Sequence, residues 1–137
     1  MNVGKVGKEK SNKKIGNDFE LEFASKLSQA GFWVLNIPQV IAGQPSDIIA
    51  VKNGKAFLFD CKVCQNDYFD KNRIEENQLS SMTLWQKCGN GSGVFALKTS
   101  VGVFLFTLSY LIHHKENRIT FLEITRKGCP FEEWLNL

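Results

Sequence analysis

No run of about 18 uninterrupted apolar residues occurs in this 137-residue sequence, which excludes a membrane-spanning helix. The longest candidate, Val101 to Ile112, is broken by Gly102, Thr107, Ser109 and Tyr110. Proline is scarce, at three residues against 11 glycines, so neither a collagen-like repeat nor a Pro/Gly-rich disordered tract is present. The N-terminal stretch is polar and lysine-rich with no apolar segment behind it, the opposite of a secretory leader, and a soluble cytoplasmic chain is expected. Histidine is limited to the adjacent pair His113 and His114, whose side chains diverge on any regular element. Cys61 and Cys64 have metal-like spacing, but Cys88 and Cys129 stand far from them and from each other, so packed, reduced thiols are expected rather than a closed zinc site or a disulfide framework.

What is present is apolar bulk. Residues of the apolar class make up 43% of the chain, with 11 Phe and 3 Trp, enough for one packed domain and too short for two. The net charge of +3 is unevenly placed. Residues 1–14 hold Lys5, Lys8, Lys10, Lys13 and Lys14 against Glu9 alone, a net +4, while the rest holds 12 basic and 13 acidic residues, a net −1. A flexible basic arm over 1–14 and a single domain over 15–137 follow. Such an arm suits a polyanion such as nucleic acid.

Phe19, Phe23, Leu27 and Ala30 recur at helical spacing, predicting a helix from about Asn17 to Ala30 with Gly31 at its end. Phe32 to Ile37 reads as a strand. After the loop Ala42 to Ser46, strands Asp47 to Val51 and Ala56 to Val63 are joined at Asn53-Gly54, a strong hairpin signal. A second helix is expected over Arg73 to Cys88, capped by Asn72 and Glu75, with Ile74, Leu79, Met82 and Trp85 inward. Strands at Val94 to Lys98, Val101 to Thr107 and Ile119 to Ile124, a helical turn at Ser109 to His114 and a helix at Phe131 to Leu137 complete an α/β or α+β order.

On the strand Ala56 to Val63, Asp60 and Lys62 share a face, while Cys61 points away with Phe57 and Phe59. Pairing about Asn53-Gly54 brings Asp47 to the end of the hairpin that carries Asp60. A buried carboxylate and lysine need partners or a job. On the first helix, Glu20 lies about 50° from the centre of the apolar face, whereas Glu22 faces solvent where Lys26 can pair with it. Glu20, Asp47, Asp60 and Lys62 thus form an acidic corner with one ammonium. Hard oxygen ligands of this kind suit Mg²⁺, or Mn²⁺ in its place, together with substrate phosphate. Lys62 could orient or deprotonate an attacking water. The competing reading is a buried salt bridge in which Lys62 only neutralises the acids.

Asp47, twelve intervening residues and Asp60-Cys61-Lys62 resemble the bipartite motif of the PD-(D/E)xK nuclease superfamily. More narrowly, Gly16 to Glu20, Arg73 to Met82 and Gly93 to Leu97 resemble segments of RecU-type Holliday junction resolvases, and Gly31 to Val34 with Asp47 to Ala50 is similar to archaeal junction resolvases. The resemblance implies a restriction-endonuclease-like αβββαβ core with a central mixed sheet flanked by helices. It also implies a Mg²⁺-dependent endonuclease acting on four-way DNA junctions as a homodimer, with no small-molecule cofactor and no membrane, working with DNA in a cell or a phage. Glu20, Asp47, Asp60 and the Cys61 backbone carbonyl become the implied metal ligands, and Gln78 an implied catalytic neighbour of the metal. Lys5, Lys8, Lys10, Lys13 and Lys14 are assigned to DNA. Asp60 stands where Glu is commoner, Ser46 separates Pro45 from Asp47, and the tight hairpin leaves no room for a stalk. Another nuclease of the superfamily, or a non-catalytic DNA-binding module of the same fold, is the alternative. Trp33 and Trp85 are expected in the core, Trp134 in packing or a dimer contact, and Lys52 and Lys55 on a solvated turn.

Overall fold

The structure, a computed structural model, describes residues 11–38 and 46–137. Lys5, Lys8 and Lys10 of the arm, and most of the Ala42 to Ser46 loop, lie outside the described residues.

Helix α1 (Asn12–Gln29) begins five residues before the expected start at Asn17. Its first turn is held by a cap rather than by packing: the Ser11 hydroxyl accepts from the Lys14 N–H at 3.1 Å. Lys13 and Lys14, assigned by charge to the arm, therefore belong to the helix. Phe19, Phe23, Ala24 and Leu27 are its buried stripe. The helix closes as the glycine signal anticipates, with the Phe32 N–H donating to the Leu27 carbonyl at 3.1 Å and the Gly31 N–H to Ser28 at 3.0 Å.

Strands β1 (Trp33–Asn36), β2 (Ile48–Lys52) and β3 (Lys55–Val63) form an antiparallel meander. Asn53 and Gly54 have φ of 53° and 74°, the paired left-handed conformation of a two-residue hairpin. A short pair, β4 (Phe69–Asp70) with β7 (Arg118–Ile119), stands apart from the main sheet. After a 3₁₀ turn over Lys71–Arg73, helix α2 (Glu76–Lys87) crosses over to β5 (Val94–Thr99), which runs parallel to β3. Strands β6 (Gly102–Thr107) and β8 (Cys129–Pro130) complete a six-stranded mixed sheet in the order β1-β2-β3-β5-β6-β8. Helices α3 (Leu108–His113), α4 (Phe121–Lys127) and α5 (Phe131–Leu135) fill the C-terminal third.

The alternation of β3 divides two cores. Phe59 and Cys61 pack with Phe19, Phe23, Leu27 and Phe131, whereas Leu58 packs with Met82, Phe95, Leu111 and Ile124. Cys61 and Cys64 fall in different cores, which separates that pair. Gly93 is required where α2 meets β5: a Cβ there would lie 2.3 Å from Met82 Sδ and 2.9 Å from Met82 Cβ.

Several local expectations are corrected. The strand expected over Ile119 to Ile124 is a strand only at Arg118–Ile119; Thr120 then caps α4, its hydroxyl accepting from the Glu123 N–H at 3.3 Å. The Thr-x-x-Glu pattern of a helix start outweighs a short apolar alternation. The capping box of α2 is formed by Glu75 and Gln78, not by Asn72 and Glu75. Gln78 takes the inward position and Leu79 is 38% exposed. Trp33, expected in the core, is 61% exposed on the edge strand β1. Trp134 serves packing, its ring lying 5.6 Å from Phe32 and 5.1 Å from Phe57. Lys52, expected in solvent, donates from Nζ to the Ala30 carbonyl at 2.6 Å and completes the C-terminus of α1.

Candidate active site

The paired β2–β3 ladder ends at Ile48 and Phe59, and Asp47 lies just beyond it, beside Asp60. The Asp47 N–H donates to the Phe59 carbonyl at 3.0 Å, and Asp47 Oδ2 accepts from the Cys61 N–H at 2.7 Å. This second bond bends the Asp47 carboxylate over β3, toward Asp60. Both acids are buried, Asp60 almost completely.

Asp60 Oδ1 accepts from Gln78 Nε2 at 2.9 Å. The other oxygen, Oδ2, lies 3.1 Å from Lys62 Nζ but has no aligned hydrogen-bond donor among the described residues. Lys62 shares the face of Asp60, as strand alternation requires. Burial, and then the charge of Asp47, push the Asp60 carboxyl up to about 8, with Lys62 opposing. The Cys61 thiol is also raised well above its usual range by burial and by the charges of Asp47, Asp60 and Glu20. Glu20, half-buried on α1, thus reaches this corner electrostatically. Glu22 points elsewhere, pairing with Lys26 and Lys98 at 3.8 Å each.

Two facing carboxylates, one with a buried oxygen not engaged by an aligned donor, fit a hard divalent cation. The Cys61 backbone carbonyl belongs to the same strand segment. Among the described residues no three His, Cys, Asp or Glu side chains converge into a complete cage. Glu20, expected as a third ligand, therefore does not join Asp47 and Asp60 in such a group; a Mg²⁺ ion held by those two carboxylates would keep several waters and phosphate oxygens as its other ligands.

Gln78 spans two elements. Its Oε1 accepts from the Glu75 N–H at 3.1 Å, while its Nε2 reaches Asp60. The amide expected near a metal therefore holds a carboxylate in place from the first turn of α2. Beside Lys62 opens a groove of about 670 Å³, lined among others by Lys13, Gln65, Tyr68, Arg73 and Glu75. The Gln65 side chain donates to Asn12 Oδ1 at 3.2 Å, tying the segment after β3 to the start of α1. Sequence reasoning did not single out Tyr68 or Arg73 as groove residues, because the facing wall, Asn12 to Gly16, lies more than 50 residues away along the chain.

The model of the archaeal Holliday junction resolvase family, Hjc, matches residues 11–137. Among solved structures, that of Archaeoglobus fulgidus Hjc, described as a Holliday junction resolvase from an archaeal hyperthermophile, is similar with a TM-score of 0.69 at 17% identity, covering 88% of this chain and 99% of that one. No curated protein sequence matches. The αβββαβ order and mixed sheet accordingly have a counterpart of known structure. The match spans every described element, from α1 through the Asp47, Asp60 and Lys62 corner to α5, and the chain belongs to the archaeal Holliday junction resolvase family.

Proposed function

We propose that the chain is a Mg²⁺-dependent, structure-selective endonuclease that resolves four-way DNA junctions as a homodimer, cutting two symmetric strands. The observation that carries this reading is the buried Asp47–Asp60 pair with Lys62 Nζ 3.1 Å from Asp60 Oδ2, at the end of a β-hairpin in a family of junction resolvases. Asp47, Asp60 and the Cys61 carbonyl would hold the ion, and Glu20 completes the acidic corner through its field or an intervening water. Bound there, a divalent cation supplies charge stabilisation for the phosphorane and a lowered pKa for water; Mn²⁺ has the same preference for oxygen.

The chain's own residues do the rest. Lys62 orients the attacking water and receives or relays its proton. Gln78 keeps the Asp60 carboxylate in one rotamer. Water adds to phosphorus and the bond to the 3′ oxygen breaks, leaving 5′-phosphate and 3′-hydroxyl ends. Two-fold symmetry of a homodimer matches the paired strands of a junction. The basic residues Lys5, Lys8, Lys10, Lys13 and Lys14 add affinity for the phosphate backbone.

Cleavage of a synthetic four-way junction, compared with linear duplex, with Mg²⁺, Mn²⁺ or a chelator, tests the reading. Paired nicks in the junction, dependent on metal, are expected. Asp60→Asn should retain junction binding and lose cleavage. Lys62→Ala should lose cleavage while metal binding stays measurable by calorimetry. Equal cutting of duplex would favour another nuclease of the superfamily, and binding without cutting by the unaltered chain would favour a non-catalytic module.

A further inference from the structure

The groove beside Lys62 has features that hydrolysis of the scissile phosphate does not use. It runs from Cys61 and Lys62 past Val63 to Asn66 and Tyr68, with Lys13 and Arg73 on its walls. The N-terminus of the 18-residue helix α1 opens onto it, and the first turn of that helix carries no acid. Two acids line the groove, and both are engaged. Asp70 accepts from Arg118 at 2.9 and 3.3 Å, and Glu75 caps α2. Positive charge is therefore left facing the space. About 670 Å³ is room for one or two nucleotides of a single strand.

Tyr68 is built into this wall. The Arg118 guanidinium stacks on its ring at 3.6 Å from the centroid, and Asp70 in turn holds Arg118 through two hydrogen bonds. Tyr68 lines the groove and Arg118 does not. One face of the ring is thus supported by a fixed cation while the ring borders the groove. A fixed aromatic ring in a basic groove is the usual means of holding an unpaired base, because every base presents a π-face. Taking a base out of a stack costs least where its pairing is already broken, as at a branch point.

Resting on the junction-resolvase reading above, we propose that this groove receives the single strand that continues from the scissile phosphate, with Lys13 and Arg73 on its phosphates and Tyr68 stacked on a nucleobase released at the branch. Selection of branched over linear DNA then arises on the chain itself, next to the acids.

The test uses the full chain and a synthetic four-way junction carrying 2-aminopurine at the branch point, in Ca²⁺ to hold the complex uncut. Binding by the unaltered chain should quench the probe several-fold. Tyr68→Leu should abolish the quenching and weaken junction affinity by about tenfold or more, with little change for linear duplex. Tyr68→Phe, which keeps the ring, should restore both. Lys13→Gln should lower the slope of log K against log[salt] by about 0.7, the value for one single-strand phosphate, whereas Lys87→Gln at the far end of α2 should not. Junction binding without quenching, or Tyr68→Leu losses equal on junction and duplex, would overturn the groove assignment while leaving the resolvase reading intact. Failure of the unaltered chain to prefer the junction would overturn that reading as well.

Discussion

The amide of Gln78 and the carboxylate of Asp60 meet in one defined orientation: Nε2 donates to Oδ1 at 2.9 Å because Oε1 is already taken by the Glu75 N–H at 3.1 Å. The start of α2 and the end of β3 are thereby coupled through a single buried side chain.

Gln78→Leu should remove the donor to Asp60 and leave Oδ1 unsatisfied, costing about 1–3 kcal/mol. A lower urea midpoint is expected, together with a loss of about 10–100-fold in metal affinity or cleavage, the range for residues that orient a metal ligand. Gln78→Glu should fare no better, since it sets another carboxylate against Asp60. An unchanged midpoint and cleavage rate in Gln78→Leu would show that Asp60 holds its position unaided.

The two glutamates of α1 should separate cleanly. Glu22 makes two exposed pairs at 3.8 Å, so Glu22→Gln should cost a few tenths of a kcal/mol per pair and leave single-turnover cleavage intact. Glu20→Gln should lower cleavage strongly, about 10–100-fold. Equal rates in the two variants would remove Glu20 from the acidic corner.

The basic arm needs a cut that respects the helix. Deleting residues 1–10 removes Lys5, Lys8 and Lys10 but keeps Ser11, whose hydroxyl caps α1. The slope of log K against log[salt] for junction binding should fall by up to about 0.9 for each phosphate no longer neutralised, and the effect should appear in KM rather than kcat. A salt series on both chains decides it, and an unchanged slope would leave those lysines without a role on DNA. A cut after residue 14 would also delete the cap, confounding affinity with about 1 kcal/mol of helix stability.

Stability should depend on pH through a cluster remote from the acids. His114 Nε2 lies 2.8 Å from Glu123 Oε2, its Nδ1 lies 2.8 Å from the Glu116 carbonyl, and the Tyr110 hydroxyl donates to Glu123 at 2.5 Å. The Glu116 carbonyl, and then Glu123, raise His114 above its usual 6.5; the Tyr110 hydroxyl, and then His114, hold Glu123 below 4.5. Partial burial and Glu123 push Tyr110 up to about 12. The His114 contribution is complete below about pH 6.5, its unfolded value, and is lost as pH rises through the raised folded value. The Glu123 contribution is complete above its unfolded 4.5 and is lost as pH falls through the lowered folded value. The urea midpoint should therefore decline as pH rises above about 6.5, and His114→Gln should flatten that decline. A decline of the same size in the variant would assign it to other groups.

Local chemistry wrote the meander and the acids into the sequence. Asn53-Gly54 admits one hairpin, its two-residue length sets the register as far as Ile48 and Phe59, and Asp47, just beyond, is held beside Asp60 by the bond its carboxylate accepts from the Cys61 N–H. Strand alternation then puts Lys62 beside Asp60 and Cys61 in the core, and helical phase separates Glu20 from Glu22. What local patterns could not contain was decided by contacts between distant segments. Gln78 turns inward, displacing Leu79, because a buried carboxylate on another element needs its donor more than the core needs one leucine. Trp33 is exposed because β1 lies at the sheet edge, a property of strand order and not of the strand's own residues. Tyr68 becomes a supported ring only through Arg118 and Asp70, which a two-stranded ladder brings together across 48 residues of sequence. The proposed reacting groups follow from spacing within one hairpin and one helix, whereas the groove that would guide a strand to them exists only once α1, β3 and the β4–β7 pair have packed.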